Sequence, residues 1–252
     1  MKKVFYFIGV LLLLLNFSCE NINETIAQTE DELPIIDTPI IENPEDTNNT
    51  PENFKLLSLG DSYTIGQSVC ETCRFPEQLK DSLLQNFEEG NTFSLQVIAR
   101  TGWTTTNLID AIASENIAPD FDLATLLIGV NNQYQRKDFS LYKTEFPALV
   151  STSIKAVNND KNNLIVISIP DYAFTPFGGG NTNISEEIDL YNEFAKDYCN
   201  RNEITFLNIT DITREGFINP NLVASDNLHP SALAYTKFVE RLLPLSLEKL
   251  KQ

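Results

Sequence analysis

The chain has 252 residues, 42% hydrophobic and 21% charged, a globular composition and not a disordered or fibrous one. Its net charge is −17, and no basic run follows Lys2-Lys3. Both features argue against nucleic-acid binding, which depends on neutralising phosphates.

In chain order, Lys2 and Lys3 come first as a short positive region, followed by an almost unbroken apolar stretch from Val4 to Leu15. That stretch is too short to span a bilayer comfortably, so residues 1–18 are predicted to be a secretory signal. The signal ends in Leu15-Asn16-Phe17-Ser18-Cys19, which resembles a bacterial lipoprotein processing site. In such a site the cysteine becomes the first mature residue and is lipidated. An ordinary signal peptide with an incidental cysteine is the alternative. Lipidation at Cys19 implies an exported protein of the bacterial cell envelope, held to the membrane by acyl chains and not by a retained helix. Residues 19–52 read as an acidic, disordered tether. Ten carboxylates and no Lys or Arg lie between Glu20 and Glu52, among Pro34, Pro39, Pro44 and Pro51. Such a segment buries too little apolar surface to offset its ordering entropy, and its like charges keep it extended.

Residues 53–252 alternate between two patterns. Short apolar runs at Phe54–Leu59, Phe93–Ala99, Leu123–Ile128, Leu164–Ile169 and Ile204–Ile209 predict five strands. Between them, amphipathic spacing predicts helices at Pro76–Phe87, Thr104–Ala113, Leu141–Val157 and Ser185–Asn200. A last helix is predicted over Pro230–Leu250, with Pro230 at its first position and Pro244 expected to end or kink it. Alternating strands and helices imply right-handed crossovers and a parallel sheet of about five strands with helices on both faces, a three-layer α/β/α fold. Ligands in such folds bind beyond the carboxyl ends of the strands.

The residues after those strands carry the chemistry. They are Gly60-Asp61-Ser62-Tyr63-Thr64-Ile65-Gly66, Thr101-Gly102-Trp103 and Gly129-Val130-Asn131-Asn132, joined near the C-terminus by Asp226-Asn227-Leu228-His229-Pro230. His229 is the chain's only histidine, and imidazole is the side chain best suited to accept a hydroxyl proton at neutral pH. Asp226, three residues earlier, is spaced to orient it; a cap on the last helix is the other reading of Asp226. Ser62 sits at a strand-to-helix turn, where its hydroxyl is available as a nucleophile once a base takes its proton. The alternative is a helix N-cap serine.

Taken together, these four blocks resemble the SGNH (GDSL-type) hydrolases, named for Ser, Gly, Asn and His, here Ser62, Gly102, Asn131 and His229 in the family's order. The resemblance runs from Phe54 to the C-terminus and implies a flavodoxin-like fold. It implies Ser62 as nucleophile, His229 as general base and Asp226 as its orienting partner. It also implies an oxyanion hole built from the Ser62 and Gly102 N–H groups and the Asn131 amide. Two positions depart from the usual pattern: Tyr63 stands where leucine is usual, and Asn132 where aspartate is commoner. Gly-Asp-Ser-Tyr-Thr and Ile169-Pro170-Asp171-Tyr172 followed by Thr175-Pro176-Phe177-Gly178 are similar to secreted bacterial members. The implied activity is ester hydrolysis through an acyl-serine intermediate, on a small ester or an acylated glycan. No cofactor or metal is implied, and a monomer is expected. A non-catalytic carbohydrate-binding lipoprotein of the same fold is the rival, against which the intact triad argues.

Some signals stay open at this level. Cys70-Glu71-Thr72-Cys73 admits a redox pair, half a zinc site or a small disulfide; the disulfide is favoured, because two further zinc ligands are missing. Cys199, beside Ile188, Tyr191 and Phe194, reads as a buried thiol. Trp103 lines a pocket or packs in the core. Phe177–Asn181 is a loop over the site or a solvent connector. Arg74 meets an anionic substrate or makes an ion pair.

Overall fold

The computed structural model describes residues 50–251. The predicted signal, the Cys19 site and the tether apart from residues 50–52 lie outside the described residues. Five strands form one sheet: β1 (Asn53–Gly60), β2 (Thr92–Ala99), β3 (Leu123–Leu127), β4 (Leu164–Ile167) and β5 (Thr205–Leu207). Their order is β2-β1-β3-β4-β5 and every pairing is parallel. This is the flavodoxin-like order. All residues of β3 and β4 are buried, as expected for central strands covered on both faces.

The long helices are α2 (Phe75–Asn86), α3 (Thr105–Glu115), α5 (Phe139–Ala156), α6 (Thr182–Arg201) and α8 (Ala232–Leu250). α2 packs on α8, while α5 packs on both α3 and α6, giving the two outer layers. Three short helices were not predicted: α1 (Ser62–Ile65), α4 (Val130–Tyr134) and α7 (Thr210–Arg214). Each follows a strand and has only four or five residues, too few for a hydrophobic period to register. Each bends the chain as it leaves the sheet.

Two details of the last helix differ from expectation. α8 starts at Ala232, because Ser231 caps it by accepting the Ala234 N–H at 3.3 Å, and Pro230 instead bridges to Val223. Pro244 does not end the helix, which continues to Leu250. The carbonyl that Pro244 leaves without a helical donor belongs to Glu240, an exposed residue that water can satisfy. Pro147 within α5 stands in the same relation to exposed Lys143.

One backbone contact constrains the centre of the sheet. Gly60 ends β1 opposite Leu127 of β3, and a Cβ on it would lie 2.1 Å from Thr64 Oγ1 and 2.4 Å from the Leu127 carbonyl oxygen. Only glycine allows that approach. Cys199 is fully buried on α6, and burial pushes its thiol up to about 12. Leu126, in β3, is also fully buried. Leu126→Ala is expected to cost about 2–5 kcal/mol of unfolding free energy. Urea denaturation should show this as a lower midpoint with an unchanged slope.

Candidate active site

The strand order reverses between β1 and β3, and the segments leaving those two strands carry Ser62 and Asn131. In open α/β sheets that reversal opens a crevice at the carboxyl edge. Here it holds a cavity of about 200 Å³ lined by Tyr63, Gly102, Asn131, Tyr134, Phe177 and His229, among others. All four sequence blocks therefore contribute lining residues, the first through Tyr63, the neighbour of Ser62.

Ser62 is the first residue of α1 and is buried. Asp61 is the N-cap, accepting the Tyr63 N–H at 3.0 Å, so the reading of Ser62 as a cap is replaced by one in which its neighbour does the capping. The hydroxyl of Ser62 is thus left uncommitted by the local fold. Among the described residues no hydrogen bond joins it to His229. What brings the two segments together is Tyr63, whose ring centroid lies 5.1 Å from the imidazole. Tyrosine at this position, in place of the usual leucine, supplies one wall against which the imidazole rests.

The His229 ring is held from its other edge. Its Nδ1 lies 2.6 Å from Asp226 Oδ2, while Asp226 Oδ1 accepts the backbone N–H groups of His229 at 2.9 Å and Leu228 at 3.0 Å. With Nδ1–H donated to the carboxylate, Nε2 is the nitrogen left to accept a proton. Burial works to raise the Asp226 carboxyl, but hydrogen bonds from the Ser68 hydroxyl, His229 and the backbone outweigh it and hold the group well below the usual carboxylate range. The Ser68 hydroxyl donates to Asp226 Oδ2 at 2.6 Å. Ser68 escaped the sequence reading because its partner is 158 residues away and no motif marks it.

Gly102 has φ +82°, a left-handed conformation that favours glycine, and a Cβ there would touch nothing. Its requirement is thus conformational and not steric. Its carbonyl accepts the Gln135 side-chain N–H at 2.7 Å. One N–H of the Asn131 amide reaches Asp61 Oδ2 at 3.3 Å, leaving a second on a residue that lines the cavity. Asn132, the other departure from the family pattern, bonds Thr105 twice, accepting its N–H at 2.9 Å and donating to its hydroxyl at 2.6 Å. That hydroxyl donates in turn to Glu145 at 2.5 Å. An aspartate at 132 would compete with Glu145 for the same proton, so asparagine suits this network.

A second cleft of about 590 Å³ shares Tyr134 and Tyr172 with the first. Its other walls include Gln133, Arg136, Asn183, Glu187 and Tyr191. Tyr172 donates to Gln133 at 2.8 Å and Gln133 to Glu187 at 2.6 Å, fixing a polar chain along it. Tyr134, which lines both clefts, and Phe177, which lines the smaller, are each about half exposed and lie 6.0 Å apart. Gln133, Tyr134 and Glu187 were not singled out from the sequence; Gln133 and Tyr134 directly follow the third block, the one signal that pointed to them.

The remaining sequence candidates separate cleanly. Cys70 and Cys73 are joined by a disulfide, and no metal-binding cluster occurs among the described residues. Arg74 is buried and pairs with Glu71 at 3.1 Å and Glu77 at 2.9 Å. Trp103 packs against the core. Phe177 lines the smaller cavity, and its N–H donates to the Asn227 carbonyl at 3.0 Å, tying that loop to the histidine loop.

Two aspartates at this edge have opposite electrostatics. Asp61 is fully buried, and burial pushes its carboxyl up to about 7 despite hydrogen bonds from the Tyr63 N–H and the Asn131 amide. Its folded pKa therefore lies above its ordinary value near 4, so the folded state binds the extra proton between about pH 4 and 7. Stability from this group is full below that window and is lost as pH rises through it. Unfolding free energies of wild type and Asp61→Asn, measured by denaturant titration from pH 4 to 8, should shift in favour of the variant by a few kcal/mol as pH rises. A pH-independent difference would contradict the assignment.

No curated protein matches the chain. Solved structures match its fold at low identity. A member of the lipolytic G-D-S-L family from Veillonella parvula has a TM-score of 0.58 at 16% identity, covering 79% of this chain and 99% of that one. A psychrotrophic esterase from Pseudoalteromonas sp. has a TM-score of 0.56 at 16% identity, with 79% and 99% covered. An acetylxylan esterase from Geobacillus stearothermophilus has a TM-score of 0.54 at 19% identity, with 80% and 96% covered. The profile of the GDSL-like Lipase/Acylhydrolase family matches residues 58–237, which include all four blocks. The chain belongs to the GDSL-like Lipase/Acylhydrolase family and is an ester-hydrolysing enzyme.

Proposed function

We propose that this enzyme cleaves short-chain carboxylic esters through an acyl-serine intermediate, with Ser62, His229 and Asp226 as its catalytic set. The observation that carries this reading is the 2.6 Å Asp226–His229 pair, whose imidazole lines one cavity with Gly102 and Asn131, beside the segment bearing Ser62. His229 Nε2 takes the Ser62 proton as Oγ attacks the carbonyl carbon. Negative charge then develops on the carbonyl oxygen, met by the N–H groups of Ser62 and Gly102 and by the free N–H of the Asn131 amide. Collapse breaks the ester C–O bond, and the alcohol leaves with the proton from His229. Water repeats the sequence on the acyl-serine and releases the acid. Asp226, kept ionised, holds the imidazole in one tautomer and balances its charge in each transition state.

The two clefts support an assignment of the substrate's halves. The smaller, about 200 Å³ and walled by Val130, Leu228 and aromatic side chains, suits a short acyl group. The larger cleft, with amide, carboxylate and cationic side chains beside the exposed ring of Tyr134, suits a polyhydroxylated alcohol such as a glycan. The similar fold of an acetylxylan esterase is consistent with this assignment. The proposal also covers the N-terminus: export, lipidation at Cys19 and residence in the cell envelope. The Cys70–Cys73 disulfide supports export, since such bonds persist in oxidising compartments.

Ser62→Ala is expected to lower kcat on p-nitrophenyl acetate by ~10⁴-fold or more with an unchanged melting temperature. Undiminished turnover would refute the nucleophile assignment. Asn131→Ala should cost about 10²–10³ in kcat on the same substrate. Across p-nitrophenyl esters from acetate to octanoate, kcat/KM should fall as the chain outgrows the small cleft. A rise toward octanoate would contradict the division of the two clefts.

A further inference from the structure

Between α1 and α2, residues 67–74 take no part in the four blocks, yet this segment reaches two of them. Adjacent residues on it point to opposite flanks of the site. Thr101, next to Gly102, donates its hydroxyl to the Gln67 side chain at 2.5 Å, while Ser68 donates to Asp226 at 2.6 Å. The segment is pinned within itself. Ser68 adopts a left-handed conformation with φ +69°, the Val69 N–H bonds the Gly66 carbonyl at 3.2 Å, and the Cys70–Cys73 disulfide closes the next turn. Beyond the disulfide, the chain is anchored by buried Arg74 and its two carboxylates, and by Gln78 donating to the Cys73 carbonyl at 2.5 Å.

We propose that Ser68 is a positioning residue for the catalytic carboxylate and that the Cys70–Cys73 disulfide exists to hold it there. Ser68 is exposed, so its hydroxyl competes with water for Asp226 Oδ2. A loose serine gains little over solvent, because fixing it costs conformational entropy. A serine on a stapled turn has already lost that freedom and presents a fixed donor. The oxygen it holds is the one that meets His229 Nδ1. Holding that oxygen restrains the imidazole, and sharing its charge moderates how strongly the carboxylate stabilises the protonated ring. The cysteine pair thereby has a role that neither metal binding nor thiol exchange supplies.

This inference rests on the proposed triad, and its test separates the two. Ser68→Gly removes the donor while keeping the left-handed backbone; Ser68→Asn keeps both, since asparagine tolerates that conformation and donates through its amide. On p-nitrophenyl acetate, Ser68→Gly is expected to lower kcat by about tenfold or more, and Ser68→Asn to restore most of it. Ser68→Gly should also move the acidic limb of the kcat/KM profile to higher pH by ~0.5 unit, because Oδ2 then gives its full charge to the imidazolium. The other titratable groups that share a cleft with His229 are Tyr63 in α1, Tyr134 in α4, and Asp171 and Tyr172 after β4, and none is altered in these variants. Cys70→Ser/Cys73→Ser should reproduce the loss in the wild-type background and add little in Ser68→Gly, a coupling that a double-mutant cycle reads directly. An unchanged kcat and pH profile in Ser68→Gly would overturn the proposal. So would a loss that asparagine does not rescue, or full additivity between the serine and cysteine substitutions. Full activity in Ser62→Ala would instead remove the triad itself, whatever Ser68 does.

Discussion

The constraint on which the site depends lies at Gly60, where β1 parts from β3. Gly60 passes the Leu127 carbonyl with no room for a side chain, and the two strands then diverge. Everything at the carboxyl edge follows from that divergence. One strand turns through Asp61 into α1 and delivers Ser62; the other turns through Gly129 into α4 and delivers Asn131. Two one-turn helices leaving neighbouring parallel strands must splay, and the gap between them is the cavity. Any bulk at residue 60 would push the strands apart at their ends and move both segments together.

Within that gap the chain maintains two carboxyl groups in different states. Asp61 lies at the turn into α1, fully buried, with hydrogen bonds too few to offset the loss of water. Asp226 lies at the rim and receives donors from a hydroxyl, an imidazole and two backbone amides. The same side chain is thus pushed up toward neutrality in one place and kept firmly ionised in the other. The division fits the work: a buried group that organises the turn and the Asn131 amide, and an ionised one that can balance a protonated ring.

The loops also restrain one another. The histidine loop is tied to the Phe177 segment through Asn227, to the first block through Tyr63 and to the stapled turn through Ser68. A lone imidazole on an unsupported loop would sample many orientations. Here it is bounded on several sides by elements that the sheet itself positions. The same segments shape the substrate side, since Phe177 in the smaller cleft packs against Tyr134 and Tyr172, the two residues that line both clefts.

The strands, the long helices and the four blocks could be read from residue order alone, because they are local. Apolar runs have a period, glycines and prolines punctuate them, and Asp226 and His229 are three residues apart. The parallel five-stranded arrangement followed from that alternation. The short helices α1, α4 and α7 could not be read, since a single turn has no period and is held by its place on the sheet. Nor could the helix through Pro244 be foreseen, because its persistence depends on an exposed carbonyl at Glu240. The roles of Ser68, Tyr63 and the Gln133–Glu187 chain likewise needed coordinates, as did the choice of disulfide for Cys70 and Cys73 over the alternatives. The Ser68, Tyr63 and Gln133–Glu187 contacts join residues tens to more than a hundred positions apart, and only the folded chain brings such partners within hydrogen-bonding or packing distance, while for the neighbouring cysteines only the folded backbone decides how the two thiols meet.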